Sequence, residues 1–365
     1  MLELEDYISK YRCNSVVEKA CFDISEEFDN IKALYYTVGK NKVFAFFGVP
    51  KTEMPVDGYP AVVLVHGGDG CAYFEWVKKW TDKGFVAIAP DFNGNCAVDL
   101  SNRRVNNPLG GPKGYGSFTQ MEREHPWTFF SVLSIINAVD VLTLQTSVNK
   151  EQISICGLSW GGVLSLIALS VEKRFKVASI IYSSGNILDT EFFINSFNSA
   201  GLNEKDKELY LKVFDPQAYV EKVGIPVLFI AGADDVAFTM QSRKKTTNKM
   251  DCEKHFSYRQ KLPHGHSAGW SCREAIDFVA CKLQNLTYPT LKVDIKENKI
   301  IVDYPNGCSN VQLVYTKDCF NTTLGQWNSV ELLEKCTMIP TDCKYFFISV
   351  FSKDGSIYSS DVFCV

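Results

Sequence analysis

Residues 153–169 limit the architecture of this chain more than any other stretch. Ile153-Ser154-Ile155-Cys156 is short and apolar, as a buried strand is. Gly157-Leu158-Ser159-Trp160-Gly161-Gly162 follows, and then the apolar run Val163-Leu164-Ser165-Leu166-Ile167-Ala168-Leu169, long enough for a helix. A Gly-x-Ser-x-Gly pattern between strand and helix implies a very tight turn that exposes the serine hydroxyl. Gly157 and Gly161 lack side chains, so neighbouring backbone can come close there. The helix start behind the serine offers N–H groups and a positive dipole end to a developing oxyanion. Ser159 is therefore the candidate nucleophile.

The flanking sequence repeats the same strand–helix alternation. After Pro60, short apolar runs at 61–65, 85–89, 153–156, 177–182 and 226–230 alternate with helix-length segments, among them 74–83, 126–145 and 161–172. Near-continuous apolar strands in this spacing predict a parallel sheet covered on both faces. Such a sheet needs a large core, and a composition of 46% apolar and 22% charged residues in 365 supplies one. Upstream, residues 1–30 read as one or two helical segments, and 33–38 and 43–47 read as a hairpin around Gly39-Lys40-Asn41-Lys42. A closing helix is expected near 271–286. From Leu291 the pattern turns to short strands, at 291–295, 300–304, 311–315, 345–351 and 358–364, separated by turns such as Asn306-Gly307 and Asp354-Gly355. This predicts a small antiparallel β-sandwich, with a boundary near Tyr288-Pro289.

A serine hydroxyl needs a neighbouring base. There are five histidines: His66, His125, His255, His264 and His266. With chain order Ser, acid, His, the base belongs after the nucleophile. His255 lies in a strand-like run. His264 and His266 share the loop Leu262-Pro263-His264-Gly265-His266-Ser267, and His266 is preferred because Gly265 frees the chain to aim its ring. The acid is expected after a strand between serine and base. Val227-Leu228-Phe229-Ile230-Ala231-Gly232-Ala233-Asp234-Asp235 fits, with Asp235 preferred and Asp234 read as a loop carboxylate. One oxyanion donor is expected from the Trp160 N–H. The second is assigned to Gly68, in the His66-Gly67-Gly68-Asp69-Gly70 loop after the strand at 61–65. No Lys-Ser/Thr follows that loop, which argues against a phosphate loop.

These motifs carry a family resemblance. His66-Gly67-Gly68-Asp69-Gly70, the following Trp76 and Trp80, and residues 84–91 resemble the oxyanion region of acetylxylan-esterase-like and dipeptidyl-peptidase-like α/β hydrolases. Gly157-Leu158-Ser159-Trp160-Gly161-Gly162 and Pro263-His264-Gly265-His266-Ser267-Ala268-Gly269-Trp270 are similar to the same group. The resemblance covers roughly residues 30–285 and implies the triad just chosen. A β-domain resembling the C-terminal one is also seen on some bacterial hydrolases of this group. Asp69 is a departure, standing where glycine is commoner. The expected fold is thus α/β: an α/β-hydrolase fold with a mostly parallel, doubly wound sheet over 1–288, led by the helical segment 1–30, and an antiparallel β-sandwich over 289–365.

Around this site, residues 93–124 are rich in Gly, Asn and Arg and read as a binding loop or lid. Asp69, Tyr115 and Trp127 are candidate pocket residues, and 186–201 is a candidate cap. The expected activity is carboxylic-ester hydrolysis through an acyl-enzyme, with deacetylation of carbohydrate as a candidate reaction. Peptidase action of dipeptidyl or acylaminoacyl type and a non-catalytic binding role are the alternatives. The partner is a small-molecule or oligosaccharide ester, with homo-oligomerisation left open. A net charge of −4 with no basic run argues against nucleic acid. The acidic start, the lack of an apolar run of ~18–20 residues and the 13 scattered cysteines predict a cytoplasmic protein without a membrane span. Cys308, Cys319, Cys336, Cys343 and Cys364 leave one or two C-terminal disulfides open. No metal or organic cofactor is expected, because no Cys/His cluster has ligand spacing.

Overall fold

A computed structural model describes residues 3–20, 28–100, 103–112, 126–304, 308–318 and 326–365. Helix α1 (Leu4–Tyr11) and strand β1 (Val17–Lys19) lead into the hairpin β2 (Ile31–Val38) and β3 (Asn41–Gly48). Then follow β4 (Tyr59–Val65), α2 (Phe74–Thr81), β5 (Val86–Pro90), the small hairpin β6 (Asn95–Ala97) and β7 (Arg104–Asn106), and α3 (Trp127–Thr143). The chain continues through β8 (Val148–Leu158), α4 (Trp160–Val171), β9 (Phe175–Ile181), α5 (Glu191–Ser199) and α6 (Glu204–Val213). The remainder of this unit is β10 (Val227–Gly232), α7 (Met240–Asn248), β11 (Lys254–Arg259), α8 (His266–Trp270) and α9 (Glu274–Leu283).

Strands β5, β4, β8, β9, β10 and β11 lie side by side and parallel. The β2–β3 hairpin and β1 extend the sheet antiparallel beyond β5. Period-two alternation sorts each strand between two cores. In β4, Ala61, Val63 and Val65 face α3 and α4, while Val62 and Leu64 face α2 and α9. This is the doubly wound α/β-hydrolase architecture expected above. The N-terminal segment differs from expectation after α1, since residues 17–19 form an edge strand on β2 rather than more helix. Residues 21–27 lie outside the described residues.

The C-terminal strands are β12 (Lys292–Lys296), β13 (Lys299–Asp303), β14 (Cys308–Thr316), β15 (Asn328–Glu331), β16 (Cys336–Met338), β17 (Tyr345–Ser352), β18 (Ile357–Ser359) and β19 (Phe363–Cys364). They pair antiparallel in two groups. β12, β13 and β16 form a separate sheet that covers Leu313, Phe346, Ile348 and Val350 with Ile300 and Val302. The other group, β18–β17–β14–β15, continues the central sheet through an antiparallel pairing of Phe256 with Ser359. Hydroxyls fasten this junction: Ser359 Oγ accepts the Tyr258 N–H at 2.8 Å, and Ser349 Oγ donates to the Tyr258 carbonyl at 2.6 Å. Val314, Phe347 and Val362 join the core of the α/β unit. Cys308, Cys336, Cys343 and Cys364 are free thiols, and Cys319 lies outside the described residues. Among the described residues, no helix is long and apolar enough to cross a membrane.

Candidate active site

The fold brings Ser159 to the end of β8, on the turn into α4. Its backbone takes φ 55° and ψ −123°, a conformation that costs free energy for a residue with a Cβ. The surroundings hold it there. The Ser159 N–H donates to the Ile181 carbonyl at 2.9 Å. A Cβ on Gly161 would run into the carbonyl oxygens of Val65 and His66, and one on Gly157 into the Ser165 hydroxyl. The two glycines of the motif are therefore close-approach positions, as read from the sequence.

Ser159 Oγ lies 2.8 Å from His264 Nε2, and His264 Nδ1 lies 3.2 Å from Asp235 Oδ2. The sequence favours His266 as the base; the structure instead places His264 between serine and carboxylate. The reason lies at Gly265. Expected as the hinge that aims His266, it is extended (φ −169°, ψ 152°), a conformation open to any residue, with open space where a Cβ would sit. The Tyr182 hydroxyl donates to the Gly265 carbonyl, and the Tyr182 ring tilts against His264 with centroids 4.5 Å apart. Phe238 stacks on His264 at 6.2 Å. His264 thus packs on two rings, while His266 begins α8 and its Nε2 accepts the Gly67 N–H at 3.1 Å.

Asp235 follows β10 and is buried. Its Oδ1 accepts the N–H groups of Ala237 and Phe238 at 3.0 and 3.1 Å, and its Oδ2 accepts Arg243 Nη2 at 2.7 Å. Burial pushes the carboxyl up. The Arg243 charge, His264 and the Phe238 N–H outweigh it, so the carboxyl ends below its usual range and stays ionised. Asp234 instead closes the turn, accepting the Leu262 N–H at 3.2 Å. Arg243, 1% exposed, escaped the sequence reading. It stands in Met-Gln-Ser-Arg-Lys-Lys-Thr-Thr-Asn, which reads as a surface helix.

The loop after β4 turns back on itself, with Gly70 N–H donating to Gly67 O at 3.0 Å. His66 Nε2 accepts the Phe92 N–H at 2.8 Å, so its proton sits on Nδ1, which donates to Gly67 O at 2.7 Å. Burial pushes His66 down to about 3, which keeps it neutral. Asn93 Nδ2 donates to the carbonyls of Gly68 and Gly70, and Arg104 Nη1 to that of Asp69 at 2.8 Å. In a trans peptide N–H and C=O point opposite ways. The Gly68 N–H therefore points away from His66. Trp160 is the first residue of α4, directly after Ser159, with its ring 5.3 Å from Phe193.

Of the pocket candidates, Asp69 is exposed on this turn. Trp127 is instead buried at the start of α3, and its Nε1 donates to the Phe92 carbonyl at 2.7 Å, which makes it a brace. Tyr115 and His125 lie outside the described residues, as do 101–102 and 113–124 of the expected lid. Arg104, from the described part of that segment, reaches the turn. The expected cap contains α5, where Phe193 meets both Trp160 and Phe238. His255 pairs with Glu253 and packs on Phe278 and Tyr288. Among the described residues, no group of three or more His, Cys, Asp or Glu is placed to hold a metal.

A parallel-sheet α/β hydrolase with its serine on the strand–helix turn is the class that this geometry defines. The chain belongs to the dienelactone hydrolase family, whose model matches residues 45–262. It is 24% identical over 202 residues to mouse "Serine hydrolase BPHL", a match covering 55% of this chain and 56% of that protein. The chain thus spans about half the length of that curated relative. Among solved structures it resembles an acetyl xylan esterase from Paenibacillus sp. R4 (TM-score 0.59, 16% identity, 78% of this chain and 92% of that one). It also resembles the Pyrococcus horikoshii acylaminoacyl peptidase (TM-score 0.55, 17% identity, 71% of this chain and 43% of that one). At these identities the likeness is one of fold.

Proposed function

We propose that this chain is a serine carboxylic-ester hydrolase that works through Ser159, His264 and Asp235. The 2.8 Å approach of His264 Nε2 to Ser159 Oγ, with Asp235 on the far nitrogen, carries the reading. Ser159 Oγ attacks the ester carbonyl while His264 takes its proton. The carbonyl oxygen becomes an oxyanion, with the Trp160 and Gly68 N–H groups as its donors. His264 then protonates the departing alkoxide, and the C–O bond breaks to leave an acyl-enzyme. Water, deprotonated by His264, attacks the acyl carbon; Ser159 leaves and takes the proton back, releasing the acid. Asp235 fixes the imidazole tautomer and stabilises the imidazolium.

Acetylated carbohydrate is the substrate class we favour. The acetyl xylan esterase likeness, which covers 92% of that chain against 43% of the acylaminoacyl peptidase, supports it. The acylaminoacyl peptidase likeness supports amide cleavage as the second reading. The test compares the protein with Ser159→Ala on short aryl esters, acetylated xylo-oligosaccharides and aminoacyl amides. Ester turnover should fall by about 10⁴-fold or more in the variant. Turnover that survives the substitution would sink the proposal, and serine-dependent cleavage of amides alone would replace it with the peptidase.

A further inference from the structure

Two histidines outside the serine relay press on the turn after β4. A Cβ on Gly70 would lie 2.6 Å from His266 Nε2 and 2.7 Å from His66 Nδ1, so both rings occupy the space that glycine leaves. A Cβ on Gly67 would lie 3.1 Å from Ser159 Cβ and 3.3 Å from His266 Nε2, so Gly67 sits between nucleophile and ring.

We propose that His266 is a positioning residue of the oxyanion turn: its Nε2 holds the Gly67 N–H and so anchors the peptide just before the one that carries the Gly68 N–H. The inference rests on Ser159 being the nucleophile. The Gly67 residue is held at both its polar groups. Its N–H goes to His266, and its C=O goes to His66 and the Gly70 N–H. With these fixed, the Gly68 N–H has one direction, opposite to His66. A preorganised donor is worth most when it need not reorient as charge develops.

The chemistry of His266 suits the role. Accepting an N–H requires an unprotonated Nε2. Burial, the Arg104 charge and His264 push the ring down to about 4 against the opposing pull of Asp69, so the lone pair is present at neutral pH. The ring is located by Tyr73 at 4.8 Å and Trp270 at 6.3 Å. It does not touch the relay as a base; Ser159 Oγ is bonded to His264.

The test uses His266→Gln, which keeps an acceptor, and His266→Leu, which fills space without one. Steady-state kinetics on an aryl acetate and the affinity of an arylboronic acid, which mimics the tetrahedral adduct, are measured beside melting temperature. Leu should lower kcat by about 10- to 100-fold, weaken the boronate in step, and leave KM within about twofold. Gln should restore most of the loss. Wild-type kcat in the Leu variant, a gain of activity there, or equal losses in Leu and Gln would each overturn the proposal. An inactive Ser159→Ala beside an unimpaired His266→Leu would reject this inference alone. An active Ser159→Ala would reject the reading beneath it.

Discussion

Replacing Arg243 with methionine removes the cation bonded to Asp235 and leaves a side chain of similar bulk in the same buried space. Both partners are 1% exposed at their side chains and 2.7 Å apart. Deleting one member of a buried pair strands the other charge, which costs about 3–5 kcal/mol. At roughly 2–4 °C per kcal/mol for a domain of this size, the melting midpoint should fall by roughly 6–20 °C at pH 8. The pH dependence has a definite sign. In the native chain the Asp235 carboxyl is held below its usual range, so it adds stability above the unfolded value near 3.9, lost as pH falls through the folded value. Without Arg243, burial dominates and the folded carboxyl rises above the unfolded one. The deficit should then shrink as pH falls from 8 toward 4, by up to about 1.4 kcal/mol per pH unit within the shifted window. Urea titrations at pH 8, 6 and 4.5 measure it, with Arg243→Lys as the charge-conserving control. A deficit that stays constant across this range, or no deficit at pH 8, would refute the assignment of Arg243 as the counter-charge of the acid.

Gly161→Ala should destabilise by about 1–3 kcal/mol and abolish esterase turnover, because its Cβ meets two carbonyl oxygens that cannot rotate away; wild-type denaturation and activity would contradict this. Asp91 is buried and pushed up to about 6, so native stability should fall as pH rises from about 4 to about 6. Asp91→Asn keeps an acceptor for the Asn93 and Asn95 N–H groups. It should gain about 3 kcal/mol relative to wild type between pH 4 and pH 8, readable as diverging unfolding midpoints. Phe193→Leu opens space beside Trp160 and Phe238 and should raise the kcat/KM ratio of butanoyl to acetyl aryl esters. An unchanged ratio would remove α5 from the acyl pocket.

The parallel sheet was legible because each of its strands is covered on both faces and so carries an uninterrupted apolar run. Edge strands carry no such mark. β1 reads Val-Glu-Lys with every residue exposed, β15 is as polar, and β16 is only three residues long, so none stood out in the sequence. The join between β11 and β18 was hidden for another reason. It rests on one residue pairing and on hydroxyls of Ser349 and Ser359, groups that in sequence look like turn or surface residues. Arg243 was invisible for the same cause: a charge is buried only if its partner is, and nothing local shows that Asp235 waits beneath α7.

The two histidines of Pro-His-Gly-His show where local reasoning stops. Chain order and loop placement narrowed the base to His264 or His266, and no residue between them decides further. What decides is tertiary. Tyr182, at the end of a strand more than eighty residues upstream, fixes Gly265 by its hydroxyl and His264 by its ring, and Phe238 stacks on the same imidazole. One step later α8 begins and carries His266 to Gly67. A flexible glycine is the wrong signal, because Gly265 is extended and needs no special freedom; the glycines that matter are Gly70, where a Cβ would collide with the His266 and His66 rings, and Gly67, where it would crowd Ser159 and His266. On the proposed mechanism these two histidines, one residue apart, serve opposite parts of one reaction, His264 at the hydroxyl that loses its proton and His266 at the loop that receives the charge. On this reading, changing the spacing between the two histidines would misplace their rings, so a one-residue insertion or deletion at Gly265 should abolish turnover while the sheet stays folded, its nearest strand having ended at Arg259.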